Sequence, residues 1–170
     1  MKKIVFILIS CLLVLSSCQK KGINAFIGEY SFKSSGDVFI QKGSDNNNDL
    51  IPSSFNYKLP DEIGQLEICT LDSKENTVLV VINYMDGEII TTKGTCEGQS
   101  IELKPFSRNT MKLSVYSLLS TNCVINIEAT GHIYDDNTIV LDMVYDGTAS
   151  IAGLSYAIHG NNIQMIATRN

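Results

Sequence analysis

Five cysteines, two histidines and several aspartate clusters are the residues of this 170-residue chain whose types could do chemistry. Asp45-Asn46-Asn47-Asn48-Asp49 opens like a calcium loop, D-x-N-x-D. Its sixth position is Leu50, where the sharp turn needs glycine, and its twelfth is Asn56, where the ion needs a bidentate glutamate, so it reads as a solvated loop. Asp135, Asp136 and Asp146 read as turn residues before they read as cation ligands. No cysteine pair has C-x-x-C spacing, and His132 and His159 each stand alone, so no metal or other cofactor is expected. Both histidines fall on the polar side of an alternating segment. A general base needs a substrate or nucleophile within about 3 Å and a third group to orient it, and the sequence supplies neither. The glycines form neither G-x-G-x-x-G nor a phosphate-cradling loop. No catalytic constellation emerges, and the chain is not read as an enzyme.

The cysteine with a definite chemistry is Cys18. A basic start, Met1-Lys2-Lys3, precedes an apolar run from Ile4 to Leu15 that is too short to cross a hydrocarbon core of about 30 Å. This is the layout of an export signal. Val14-Leu15-Ser16-Ser17-Cys18 resembles the lipobox of bacterial lipoproteins. The resemblance implies cleavage before Cys18, two acyl chains on its thiol and a third on the new amino group. Residues 1–17 are then a signal peptide, 18–25 a lipidated tether and 26–170 one domain. Each buried CH₂ of the acyl chains contributes about 0.8 kcal/mol, enough in sum to hold the protein on a membrane that no residue spans. Gln19 in place of aspartate implies, by analogy with lipoprotein sorting, the outer membrane. Lys20-Lys21 in place of an acidic cluster favours its periplasmic leaflet over the cell surface.

Loss of Lys2 and Lys3 with the signal leaves 11 basic against 18 acidic residues, a net charge of −7. An acidic domain without basic clusters is a poor partner for nucleic acid. About 150 residues suit one domain with a sizeable core. Cys69, Cys96 and Cys123 remain as thiols. Export permits disulfides, an odd count leaves one over, and Cys69 with Cys96 form the candidate bridge if their strands end on one rim.

The elements that would position these residues are strands. Cys123, Ile125, Ile127, Ala129, Gly131 and Ile133 share one parity, and Asn122, Asn126, Glu128, Thr130 and His132 the other, as in a half-buried strand. Ile139, Leu141, Met143 and Tyr145 form the next apolar row, reached through a turn at Asp135-Asp136-Asn137. An earlier segment, Asn76 to Tyr84, ends in Met85-Asp86-Gly87, and the later one, Asn137 to Tyr145, ends in Asp146-Gly147, so both predict a hairpin turn. Weaker rows are Phe26, Gly28, Tyr30 and Phe32; Leu66 and Ile68; Ile101 and Leu103; Met111, Leu113 and Val115. The chain closes with Leu154, Tyr156 and Ile158, then Ile163, Met165 and Ala167, turned by Gly160-Asn161-Asn162. Gly43 to Ser54 reads as a loop. Eight to ten short antiparallel strands predict an all-β meander forming a barrel, or alternatively a β-sandwich.

Phe26-Ile27-Gly28-Glu29-Tyr30-Ser31-Phe32 is similar to the G-x-Y strand that opens calycin-like, or lipocalin-like, β-barrel domains of bacterial lipoproteins. Ala129-Thr130-Gly131-His132-Ile133 followed by Asn137 to Tyr145 resembles their closing hairpin. The resemblance implies a meandering barrel in a family largely of unknown function. It departs from true lipocalins in having no tryptophan. An eight-stranded barrel can hold one small apolar ligand, which Tyr30, Phe32, Ile82, Tyr84, Met143, Tyr145 and Tyr156 would line. The expected role is therefore a tethered binding module. The alternative is a structural or interaction protein, its barrel filled by its own side chains, that docks an envelope partner.

Overall fold

The computed structural model describes residues 22–43, 53–72, 74–115, 119–151 and 153–170. Residues 1–17, expected to be a signal peptide, together with Cys18 and most of the Asn-rich segment, lie outside the described residues. A 3-10 turn, Gly22–Ala25, precedes eleven strands: β1 (Gly28–Ser35), β2 (Asp37–Lys42), β3 (Ser54–Lys58), β4 (Glu62–Asp72), β5 (Thr77–Tyr84), β6 (Ile89–Glu97), β7 (Ser100–Arg108), β8 (Lys112–Val115), β9 (Leu119–Asp135), β10 (Thr138–Ile151) and β11 (Leu154–Arg169).

Strict alternation drives this arrangement. In β6 every second residue is buried, and in β9 Cys123, Ile125, Ile127 and Ala129 are buried while the residues between them are exposed. All pairings are antiparallel, and β1 closes the sheet by pairing β4 on one side and β11 on the other. Three positions in the wall are occupied by broken strands. β1 and β2 both run along β11, β4 and β3 run along β1 and β2, and β7 and β8 both run along β9. The eleven segments therefore make a closed antiparallel barrel of eight strands, and the sandwich alternative is set aside.

The wall is uneven in height. β9, β10 and β11 span 17, 14 and 16 residues, whereas β5 and β6 span 8 and 9. The 3-10 turn packs at the base end against β6, with Ile23 and Phe26 in the core. Residues expected to belong to the tether are thus folded from Gly22 onward.

Two expected turns are strand interior. Asp146-Gly147 lies within β10, and Gly160-Asn161-Asn162 lies within β11 beside a register shift at Met143/Tyr145. At Gly147 the sheet needs close approach rather than reversal, because a Cβ there would stand 2.2 Å from the Val124 carbonyl oxygen. Gly36, between β1 and β2, is similar: a Cβ would meet the Asn162 carbonyl oxygen at 2.6 Å, so the long first strand bends against β11 only without a side chain.

Gly147→Ala is expected to lower stability by roughly 1–3 kcal/mol, as overpacking does, read as a lower urea midpoint. An unchanged midpoint would show that the wall gives way to a Cβ at Gly147 and that close approach does not fix the glycine.

Candidate functional site

The seven residues expected to line a cavity all point into the barrel. Tyr30, Phe32, Ile82, Tyr84, Met143, Tyr145 and Tyr156 are each no more than 4% exposed. A side chain bordering a void wide enough for water would keep accessible area, so these seven are packed against protein. Phe32 meets Tyr84 edge-on, with ring centroids 5.3 Å apart and planes at 80°. The hydroxyls of Tyr84 and Tyr145 are buried without a hydrogen-bond partner. Burial pushes both phenols above their ordinary pKa, so both stay neutral.

Beside them, a charged cluster gathers around a buried arginine. Arg108, 1% exposed, lays its guanidinium over the Tyr84 ring, 3.7 Å from the centroid. It forms ion pairs with Glu62 at the start of β4, with Asp86 at 2.6 Å and with Glu88 at 3.1 Å, the last two in the β5–β6 turn. The Asn109 amide donates to Glu88 Oε1 at 2.9 Å. The Thr110 hydroxyl stands 2.7 Å from Glu88 Oε2 and 2.9 Å from Asp86 Oδ2. Burial opposes ionisation of Asp86 and Glu88. The opposing hydrogen bonds, from the Glu88 amide and Thr110 to Asp86 and from Thr110 and Asn109 to Glu88, together with Arg108, outweigh it and hold both carboxyls below their usual range. Arg108 escaped the sequence reading because a register shift between Leu103 and Phe106 moves it to the inner face. Pro105, at that shift, is the signal that could have found it.

A second arginine secures the base. Arg169 donates to the carbonyls of Ile27 at 2.7 Å and Ala25 at 2.9 Å and to the Tyr30 hydroxyl at 2.6 Å, and that hydroxyl donates to the Phe26 carbonyl at 2.8 Å. The last strand thereby holds the 3-10 turn across the barrel mouth.

The remaining candidates lie on the outer surface. His159 Nδ1 is 2.7 Å from Asp146 Oδ1, an orienting pair the sequence reading missed because the two are thirteen residues apart. The residues opposite them in the sheet are Phe39 and Asn126, neither of them a nucleophile. His132 borders a shallow outer groove of about 340 Å³ with Glu97, Glu102, Asp142 and Ser100, its cross-strand partner, and no hydrogen bond joins the Ser100 hydroxyl to the imidazole. Asp135 accepts the Asn137 amide at 2.9 Å and so caps its turn. The candidate Cys69–Cys96 bridge is not formed. Cys69 faces outward and bonds Glu67 at 3.2 Å, whereas Cys96 is buried on the opposite face, and both are free thiols, as is Cys123. The bond to Glu67 raises Cys69, and burial pushes Cys96 and Cys123 up to about 11.

No protein-family model matches the chain, and no curated protein matches it. Among solved structures, a redesigned β-barrel shares 13% identity at a TM-score of 0.39, covering 91% of this chain and 98% of its own. A protein of unknown function from Nostoc punctiforme, of the DUF3598 family, shares 12% identity at a TM-score of 0.35. That match covers 87% of this chain, which spans about half the neighbour's length, 49%.

Replacing the buried Arg108 by alanine leaves Glu62, Glu88 and the more exposed Asp86 without their cation and should cost about 2–4 kcal/mol, measured by chemical denaturation. Groups with depressed folded pKa values stabilise at neutral pH and lose that contribution as pH falls through the folded values. The wild-type protein should therefore lose stability below about pH 4, and Asp86→Asn should flatten that decline in a pH series of melts. In a thiol titration of the native barrel at neutral pH, Cys69 should react and Cys96 and Cys123 only on unfolding; prompt reaction of all three would contradict the packing.

Proposed function

We propose that this chain is an envelope lipoprotein, processed before Cys18 and held by its acyl chains, whose calycin-like barrel is a solid body acting through its outer surface. The observation that supports a solid body over a carrier is the near-complete burial of all seven expected lining residues, from Tyr30 to Tyr156. The polarity of the wall supports a body outside the hydrocarbon. Its inner face is apolar and most of its outer face polar, the reverse of a membrane-spanning barrel. No helix among the described residues is long and apolar enough to cross a membrane, so attachment falls to Cys18, with Gln19 and Lys20-Lys21 favouring the periplasmic leaflet of the outer membrane.

The carrier reading draws on one observation, the unpartnered hydroxyls of Tyr84 and Tyr145, which a polar guest would satisfy and an apolar one would not. An envelope partner is the better occupant for such a protein, and its site is on the outside.

Two measurements test the proposal. Native mass spectrometry of the purified protein should show the bare polypeptide with its acyl mass alone, and a panel of fatty acids and phospholipids should leave the melting temperature unchanged. A stoichiometric guest retained inside the barrel would return the carrier reading. Radiolabelled palmitate should enter the wild-type chain and not Cys18→Ser, which should leave the membrane fraction for the soluble one; equal sedimentation of the two would remove the anchor.

A further inference from the structure

The backbone ladder between β6 and β7 stops short. It pairs Gly94–Glu97 with Ser100–Leu103 and ends there, whereas β5 pairs β6 as far as Ile89 and β9 pairs β7 as far as Arg108. The Tyr84 amide donates to the Glu88 carbonyl and the Cys96 amide to the Asn76 carbonyl, so the even-numbered residues of β6 bond β5. Ile89, Thr91 and Lys93 therefore turn their amides and carbonyls toward β7, where no ladder partner meets them. Pro105, at the register shift of β7, has no amide to offer. Backbone groups without protein partners turn to water, and this seam admits it. Phe106 at 9%, Thr92 at 8% and Ile90 at 7% are, with Ile23, the most accessible of the buried residues, and all three flank the gap.

Side chains close what the ladder leaves open. The Thr92 hydroxyl donates to the Lys104 carbonyl. Arg108 reaches Asp86 and Glu88 from the end of β7, and the Thr110 hydroxyl lies within hydrogen-bond distance of both carboxylates. Behind this clasp are the hydroxyls of Tyr84 and Tyr145, buried and without a hydrogen-bond partner. Glu62 and Arg108 act electrostatically on both phenols, which places the pair at the inner side of the clasp. The Tyr30 hydroxyl, at the base, is by contrast held by Arg169 and the Phe26 carbonyl. In the closed barrel the Tyr84 and Tyr145 hydroxyls forgo a hydrogen bond that water would supply in a parted seam. The closed seam is thus held by rotatable side chains and opposed by two unsatisfied groups, the condition for opening locally rather than with the whole fold.

We propose that the β6–β7 seam is a lateral portal: the Arg108 clasp releases, Ile89–Lys93 parts from Lys104–Arg108, and water exchanges with the Tyr84 and Tyr145 hydroxyls while the rest of the barrel stays folded. The long ladders joining β9, β10 and β11 and the pairing of β1 with β11 take no part in the motion. The portal goes beyond the reading of the barrel as a solid body, which describes its closed state, and it does not depend on the Cys18 anchor.

The test is native-state thiol labelling of the full chain with iodoacetamide, read by peptide mass spectrometry. Cys69→Ser removes the outward thiol and Ile90→Cys places a reporter inside the seam, with the buried Cys123 on β9 as the internal reference. The reporter should react roughly tenfold faster than Cys123 or more, and urea below the unfolding midpoint should speed Cys123 far more than the reporter, because only Cys123 waits for the whole fold to open. Thr110→Val, which takes the hydroxyl out of the clasp, should raise the reporter's rate severalfold. Ile139→Val, in the core away from the seam, should speed Cys123 and leave the reporter as it was. Should Ile90→Cys fail to fold, Thr92→Cys, at the same seam and close in size, takes its place. Equal rates and equal urea dependence for the two thiols, or a reporter indifferent to Thr110→Val, would overturn the portal while leaving the closed-state packing and the anchor intact.

Discussion

Pairing of the first strand with the last is the interaction on which this molecule depends. β1 meets β11 in register from Tyr30 opposite Arg169 to Ser35 opposite Gln164, joining chain segments that are more than a hundred residues apart in sequence. Without it the sheet would have two long edges of unpaired backbone amides and carbonyls and a half-exposed apolar face, a combination that invites aggregation. With it, each inward side chain is enclosed by the rest of the wall. Arg169 lies at that seam, and its guanidinium also binds the carbonyls of Ala25 and Ile27, so closure of the sheet and closure of the base share one residue.

The opposite seam is weaker and is held differently. β6 and β7 pair only from Gly94–Glu97 to Ser100–Leu103. Beyond that, Pro105 has no amide to donate and the ladder lapses. Side chains take over where backbone cannot. The Thr92 hydroxyl donates to the Lys104 carbonyl at 2.9 Å, and Arg108 with Thr110 ties the end of β7 to Asp86 and Glu88. A buried guanidinium costs desolvation that an apolar residue of the same volume would not. Its presence here follows from geometry, since only a long cation on β7 can reach three carboxylates presented by β4 and the β5–β6 turn.

Much of this was legible. The alternation in residues 122–133 and 139–145, the Asp135-Asp136-Asn137 turn and the inward parity of Tyr30, Tyr84, Tyr145 and Tyr156 follow from a period of two, which one buried face imposes. Three things were not. Asp146-Gly147 looks like a turn because glycine serves reversal and close packing alike, and only the nearness of Val124 separates them. Arg108 was hidden by a bulge, since one inserted residue exchanges inside for outside along the rest of a strand. The packing of the interior was hidden because tyrosines around a cavity and tyrosines filling a core share the same spacing. Whether space remains between them depends on how strands bend at Gly36 and at the β3–β4 break, and no local pattern reports that.

β5 carries the last step. Val78, Val80 and Ile82 already fill the interior from this strand, so the apolar groups of Leu79, Val81 and Met85 on its other side contribute nothing to the barrel's own core. A strand apolar on both faces belongs where both faces are covered. Most outward positions elsewhere in this barrel are polar, as on β9 with Asn126, Glu128, Thr130 and His132, although Val124, Val144 and Ile166 also face outward. Solubility alone would favour the same on β5. On that outer face Leu79 lies between Cys69 and Lys93 and Val81 between Glu67 and Thr91, so long side chains on either side shield the two and leave them half-buried within the chain's own wall.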